Sequence, residues 1–172
     1  MAILVCPLSK VEELVAARRP SRVVSLLDPG STFPDLGSQY GDRHLRLTFH
    51  DVHASAYGET APAREDVVQL IDFLKQWNRR ELILVHCRAG ISRSTAAAFI
   101  AACVSQPAVT ELKIARTLRR AAPLARPNQT MVDLADDVLA REGRMGRAII
   151  ETGRDLPWLA IDEGEPFEIP VL

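Results

Sequence analysis

Residues 84–95 read LVHCRAGISRST. An apolar run closes on His86-Cys87, five mostly small residues intervene, and Arg93 opens a run with helical character. The stretch therefore predicts a buried strand, a tight loop and a helix. Such a loop can turn successive backbone N–H groups inward to form a nest for an anion, with the positive end of the helix dipole aimed at the same spot. Gly90 supplies the positive φ that the curl requires. A thiol at the start of that loop feels the amides, the helix terminus and Arg93, all of which favour thiolate. Arg93 brings a planar fork that can hold two oxygens of a phosphate or sulfate. Ser94 is placed to donate a hydrogen bond to the sulfur, and His86 to bond the loop backbone rather than attack.

Outward from this stretch, the pattern alternates strands and helices. Residues 2–5 are apolar and β-prone, and Ser9 is a candidate cap for a helix ending near Arg18 before Pro20. RVVSLL (22–27) reads as a buried strand, and a loop rich in Gly, Pro, Asp and Ser follows it. HLRLTF (44–49) alternates like a half-buried strand. Residues 63–78 place Val67, Leu70, Ile71, Leu74 and Trp77 at helical spacing, and ELILV (81–85) reads as a central strand. Helices are predicted over 94–104, 111–121, 129–141 and 144–152, with Thr110 and Asn128 as caps. Residues 156–172 carry three prolines and several acids and are expected to form an ordered tail or flap. The order of elements argues for an α/β sheet with extra helices packed on it.

The whole signature, HCRAGISRS, resembles the His-Cys-x5-Arg-Ser/Thr motif of the cysteine-dependent protein tyrosine phosphatase superfamily, most closely its dual-specificity branch. The resemblance spans roughly residues 22–141. It implies a three-layer α/β/α fold with a central, mainly parallel sheet, and one phosphatase domain over 1–172 with 143–172 as a C-terminal extension. It also implies a metal-independent, cofactor-free phosphomonoesterase. Cys87 would be the nucleophile, with Arg88, Ala89, Gly90, Ile91, Ser92 and Arg93 binding phosphate or sulfate. Ser94 would assist the sulfur as leaving group, and His86 would support the loop.

A departing ester oxygen needs a proton donor. The resembling family uses an aspartate on a loop upstream of the cysteine. Asp51, just past a predicted strand in LTFHDVHASAYGE, is the best candidate. Asp42 precedes that strand, and Asp66 and Asp72 fall on a predicted helix. Ala125-Arg126-Pro127-Asn128 resembles the Arg-Pro-Asn turn of dual-specificity phosphatases, in which the asparagine supports the catalytic loop. His50 and His53 beside Asp51 lack the further ligands of a metal site.

Composition narrows the partners. With a formal net charge of −1 the chain has no global field for nucleic acid or an acidic membrane. Its amino terminus lacks the cationic start and long apolar run of a signal peptide. Cys6, Cys87 and Cys103 are odd in number and widely spaced, which suits a reducing, cytoplasmic setting. The expected substrate is a phosphoprotein or small phosphomonoester: phosphotyrosine first, then phosphoserine and phosphothreonine. Two other classes use the same parts. A rhodanese-like sulfurtransferase also cradles an anion over a cysteine, usually in a loop one residue shorter. A catalytically silent phosphate-binding module would keep the cradle without the chemistry.

Overall fold

The structure is a computed structural model that describes residues 2–153 and 161–171. Four strands, β1 (Ala2–Pro7), β2 (Arg22–Leu27), β3 (His44–Thr48) and β4 (Ile83–Cys87), are parallel to one another. A fifth, β5 (Phe167–Pro170), pairs antiparallel with β1, giving the order β3-β2-β4-β1-β5. β4 is buried at every position and lies in the middle of the sheet, as its unbroken apolar run requires.

Alternate side chains divide the sheet into two faces. Ile3, Val5, Val24, Leu26, Val85 and Cys87 belong to the larger core. That core is covered by α2 (Arg64–Lys75), α3 (Arg93–Ser105), α4 (Glu111–Ala121), α5 (Gln129–Val138) and α6 (Arg144–Gly153). Leu4, Cys6, Val23 and Leu84 face the other way, against Val11 and Val15 of α1 (Val11–Arg18) and Tyr40 of a 3-10 segment (Ser38–Arg43). The result is the expected three-layer α/β/α fold. In α3, every residue but Val104 is buried, and its run of alanines lets neighbouring backbones approach closely.

The predicted elements match closely, with boundary shifts of one to three residues. The exceptions are informative. Ser9 does not cap α1: it lies in a 3-10 turn (Leu8–Lys10), the cap position is Lys10 without a side-chain bond, and the Ser9 hydroxyl donates to Glu163. Within the tail, 161–171 are ordered and end in β5; the remainder of the expected flap, 156–160 and 172, lies outside the described residues.

All four parallel strands end at one edge, and the register sets Pro7 and Leu26 level with Cys87, and Leu27 level with Thr48. Open α/β sheets gather their ligand groups at this carboxyl edge. Asp28, Asp51 and Cys87 all follow or close a strand there.

Candidate active site

Cys87 ends β4 and Arg93 begins α3, so the five residues between them must curl. Gly90 makes the bend at φ +74°, and a Cβ there would lie 2.8 Å from the Pro7 nitrogen. Position 90 is therefore closed to other residues on two counts, conformation and space. The bend returns the Gly90 N–H to Cys87 Sγ at 3.2 Å, and Ser94 Oγ lies 3.1 Å from the same sulfur. The thiol is 2% exposed at the floor of a cavity of about 1070 Å³.

The loop's carbonyls are held outward by donors from four places. Leu8 N–H donates to the Arg88 carbonyl (3.1 Å), Gly164 N–H to Ala89 (2.8 Å), Arg126 N–H to Ile91 (2.9 Å) and Asn128 N–H to Ser92 (3.3 Å). In a planar trans peptide the C=O and N–H point oppositely, so each outward carbonyl turns the following N–H inward. Ser92 occupies the cap position of α3, but its hydroxyl donates to Asp51 Oδ1 (2.7 Å) instead of the helix. The first-turn amides of α3 thus carry no side-chain cap and remain available to an anion.

Arg93 is 3% exposed, and its Nη1 donates to Asp28 Oδ1 (2.9 Å) and the Phe49 carbonyl (2.7 Å). Its Nε is a buried donor without a partner among the described residues. A buried donor of this kind is costly unless something accepts from it, and an oxyanion in the nest is the fitting acceptor. Asp28 is the site residue that sequence reading passed over. It lines the same cavity and follows β2 as Asp51 follows β3, but Asp28-Pro29-Gly30 reads first as a turn.

Asp51 also lines the cavity, and both its hydrogen bonds fall on Oδ1, from Ser92 Oγ and from Asn128 Nδ2 (2.9 Å). Among the described residues Oδ2 has no partner, and it is the oxygen able to carry a proton. The Asn128 side chain performs the capping function expected of it and a second that the sequence does not announce. Its Oδ1 caps α5 by accepting from Met131 N–H (3.0 Å), while its amide steadies Asp51. Support of the loop itself comes from the backbone of the turn, not from the Asn128 side chain. Of the competing carboxylates, Asp66 bonds the Ala63 N–H at the start of α2 and Asp72 faces Lys75. Neither lines the cavity.

His86 was expected to bond the loop backbone; its Nε2 instead meets Ser25 Oγ at 2.5 Å, and His44 Nε2 meets the same hydroxyl at 2.7 Å. Burial drives both imidazoles down to about 4. For His86 the Cys87 backbone opposes that shift and His44 adds to it; for His44, Arg46 adds. Both rings are therefore neutral around pH 7. His50 is occupied in closing its own loop, its Nδ1 accepting from Thr60 N–H (2.8 Å). No group of three or more metal-ligating side chains occurs among the described residues. Cys6 lies beside the site in sequence register but on the opposite face of the sheet from Cys87, and burial raises its thiol to about 12. Among the described residues no helix is long and apolar enough to cross a membrane.

Residues 46–129 match the protein-tyrosine phosphatase family. No curated protein matches the sequence. Among solved structures, human DUSP28 is similar at 16% identity and a TM-score of 0.61, covering 81% of this chain and 89% of that one. The human tyrosine phosphatase-like serine/threonine/tyrosine-interacting protein is similar at 16% identity and 0.63, with 81% and 92% covered. PTPMT1 in complex with PI(5)P is similar at 15% identity and 0.57, with 81% and 94% covered. The matched stretch holds the whole Cys87 loop and Asp51, and the shared fold extends well beyond it. The chain is thus similar to the protein-tyrosine phosphatase family over residues 46–129, and it has the fold of the dual-specificity phosphatases.

Proposed function

We propose that the chain, acting as a single domain, is a phosphatase that hydrolyses phosphomonoesters through a phosphocysteine intermediate. Phosphotyrosine proteins are the first expected substrates, followed by phosphoserine and phosphothreonine. The observation that carries this reading is the surround of Cys87: a buried sulfur receiving Gly90 N–H and facing Ser94 Oγ, in one cavity with Arg93 and Asp51.

In the first step Cys87 Sγ attacks phosphorus, a P–S bond forms and the P–O ester bond breaks. The loop amides and Arg93 hold the equatorial oxygens, where charge must be stabilised. Asp51 gives its Oδ2 proton to the departing oxygen. In the second step a water attacks phosphorus, Asp51 recovers a proton from it, and the P–S bond breaks. Ser94 Oγ donates to the departing thiolate, which its 3.1 Å separation from the sulfur supports. Phosphate leaves and the enzyme is regenerated with no redox change. No residue of this scheme calls for a metal or cofactor.

A panel of phosphotyrosine, phosphoserine and phosphothreonine peptides, with phosphoinositide vesicles as a further arm, tests the reading beside Cys87→Ser and Arg93→Ala. Each substitution should lower kcat by at least about 10³, on the scale of losing a nucleophile or an oxyanion donor. Turnover that survives Cys87→Ser would sink the mechanism. Wild-type inactivity with retained phosphate binding would favour the silent binding module, and thiosulfate turnover alone a sulfurtransferase.

A further inference from the structure

The described part of the C-terminal extension crosses the flank of the Cys87 loop before it joins the sheet as β5. Gly164 N–H donates to the Ala89 carbonyl at 2.8 Å. A Cβ on Gly164 would lie 3.2 Å from Ile91 Cγ1, 3.4 Å from the Gly90 carbonyl and 3.5 Å from that of Ala89, so the two backbones pack without a spacer. The segment is fastened on both sides of this contact. Glu163 accepts from the Ser9 hydroxyl, and Phe167–Pro170 pairs with Ala2–Val5 of β1. Just upstream, Ile161 lines the cavity that holds Cys87.

The Ala89–Gly90 peptide gives this contact its chemical meaning. Its carbonyl is the one Gly164 holds, and its N–H is the one that reaches Cys87 Sγ at 3.2 Å. Because the two groups are fixed on opposite sides of one plane, rotation of that peptide would lose both bonds together. The other three outward carbonyls are held by residues 8, 126 and 128; this one depends on residue 164.

We infer that the 161–164 strap is part of the anion-binding machinery, and that Gly164 is a positioning residue that keeps the Gly90 amide aimed at Cys87 and its bound phosphoryl group. The inference rests on the proposed phosphatase reading. By linkage, a strap that orders the loop for an oxyanion is itself ordered when the oxyanion binds, by the same factor.

Two measurements on the full-length chain test it, with orthovanadate as the probe. Hydrogen exchange on the wild type should show protection of 161–166 rising at least about fivefold with vanadate, in step with 88–93, since couplings of this kind run about 5–150-fold. Gly164→Pro removes the donor; it should lower kcat and weaken vanadate about tenfold while KM moves less than about threefold. Gly164→Ala keeps the N–H and should recover most of both. Protection confined to 88–93, or Gly164→Pro with unchanged kcat and vanadate affinity, overturns the inference and leaves the phosphatase reading standing. Absence of vanadate protection at 88–93 overturns the reading itself and the inference with it. Should Gly164→Pro fail to fold, the wild-type exchange experiment still decides.

Discussion

At the scale of single residues, the cavity presents two aspartates with different partners, and the partners assign different work. Asp28 is bound to Arg93 Nη1, so its charge holds the guanidinium in place beside the nest. Asp51 spends one oxygen on Ser92 and Asn128 and, among the described residues, keeps Oδ2 unengaged. Asp51→Asn should therefore lower kcat by about 10²–10⁴ on an alkyl or phenyl phosphate with little change in KM. The deficit should shrink on p-nitrophenyl phosphate, whose leaving group departs without a proton. Asp28→Asn keeps an acceptor for Nη1 but loses the charge; it should weaken phosphate and vanadate binding severalfold, equally for both leaving groups. Steady-state kinetics with the two esters separates the roles. A deficit in Asp51→Asn that ignores the leaving group removes Asp51 as the proton donor.

At the scale of elements, α3 carries Arg93 and Ser94 at its first turn and is enclosed along its length. Ala101, in its C-terminal half, is 1% exposed and belongs to the main core, where interiors are close-packed. Ala101→Leu should cost about 1–3 kcal/mol by overpacking, lowering Tm by roughly 2–4 °C per kcal/mol in a chain of this size. Thermal unfolding checks this, and an unchanged Tm would mean that the helix can shift within its layer. The strand–loop–helix unit at 83–105 was legible in the sequence because its parts are consecutive: an apolar run, small residues at the curl, and an arginine after a fixed gap. What escaped was contributed from far along the chain. Asp28 meets Arg93 across 65 residues, and its Pro-Gly neighbours look like an ordinary turn. Ser9 looks like a helix cap until Glu163, 154 residues away, claims its hydroxyl. β5 has four residues with a proline at its last position on an edge strand, too short and too polar in its surroundings to signal itself. His86 found Ser25 because β2 and β4 are neighbours in register, a fact that local sequence does not carry.

At the scale of the whole molecule, the Ser25–His44–His86 cluster ties stability to pH. It spans three adjacent strands, β2, β3 and β4, beneath the site, and both rings are buried. Folded, each imidazole titrates near 4; unfolded, near the ordinary 6.5. Above about pH 7.5 both states hold largely neutral rings and the pair contributes little pH dependence. As pH falls from 6.5 toward 4 the unfolded chain takes up protons that the folded chain refuses, so stability declines. With two rings the limiting slope approaches two protons, or about 3 kcal/mol per pH unit, before any carboxylate contributes. Urea midpoints at pH 7.5, 6.5, 5.75 and 5 should therefore fall slightly over the first step and steeply over the rest. His44→Gln, whose amide can still reach Ser25, should lower that slope by about one proton and leave the unfolding free energy at pH 7.5 within about 1 kcal/mol of wild type. The window above pH 5 is chosen because unfolded-state carboxylates titrate near 4 and obscure the comparison below it. A slope in His44→Gln equal to that of the wild type would show that the acid sensitivity arises elsewhere, and a flat wild-type profile would show that the buried rings accept protons in place.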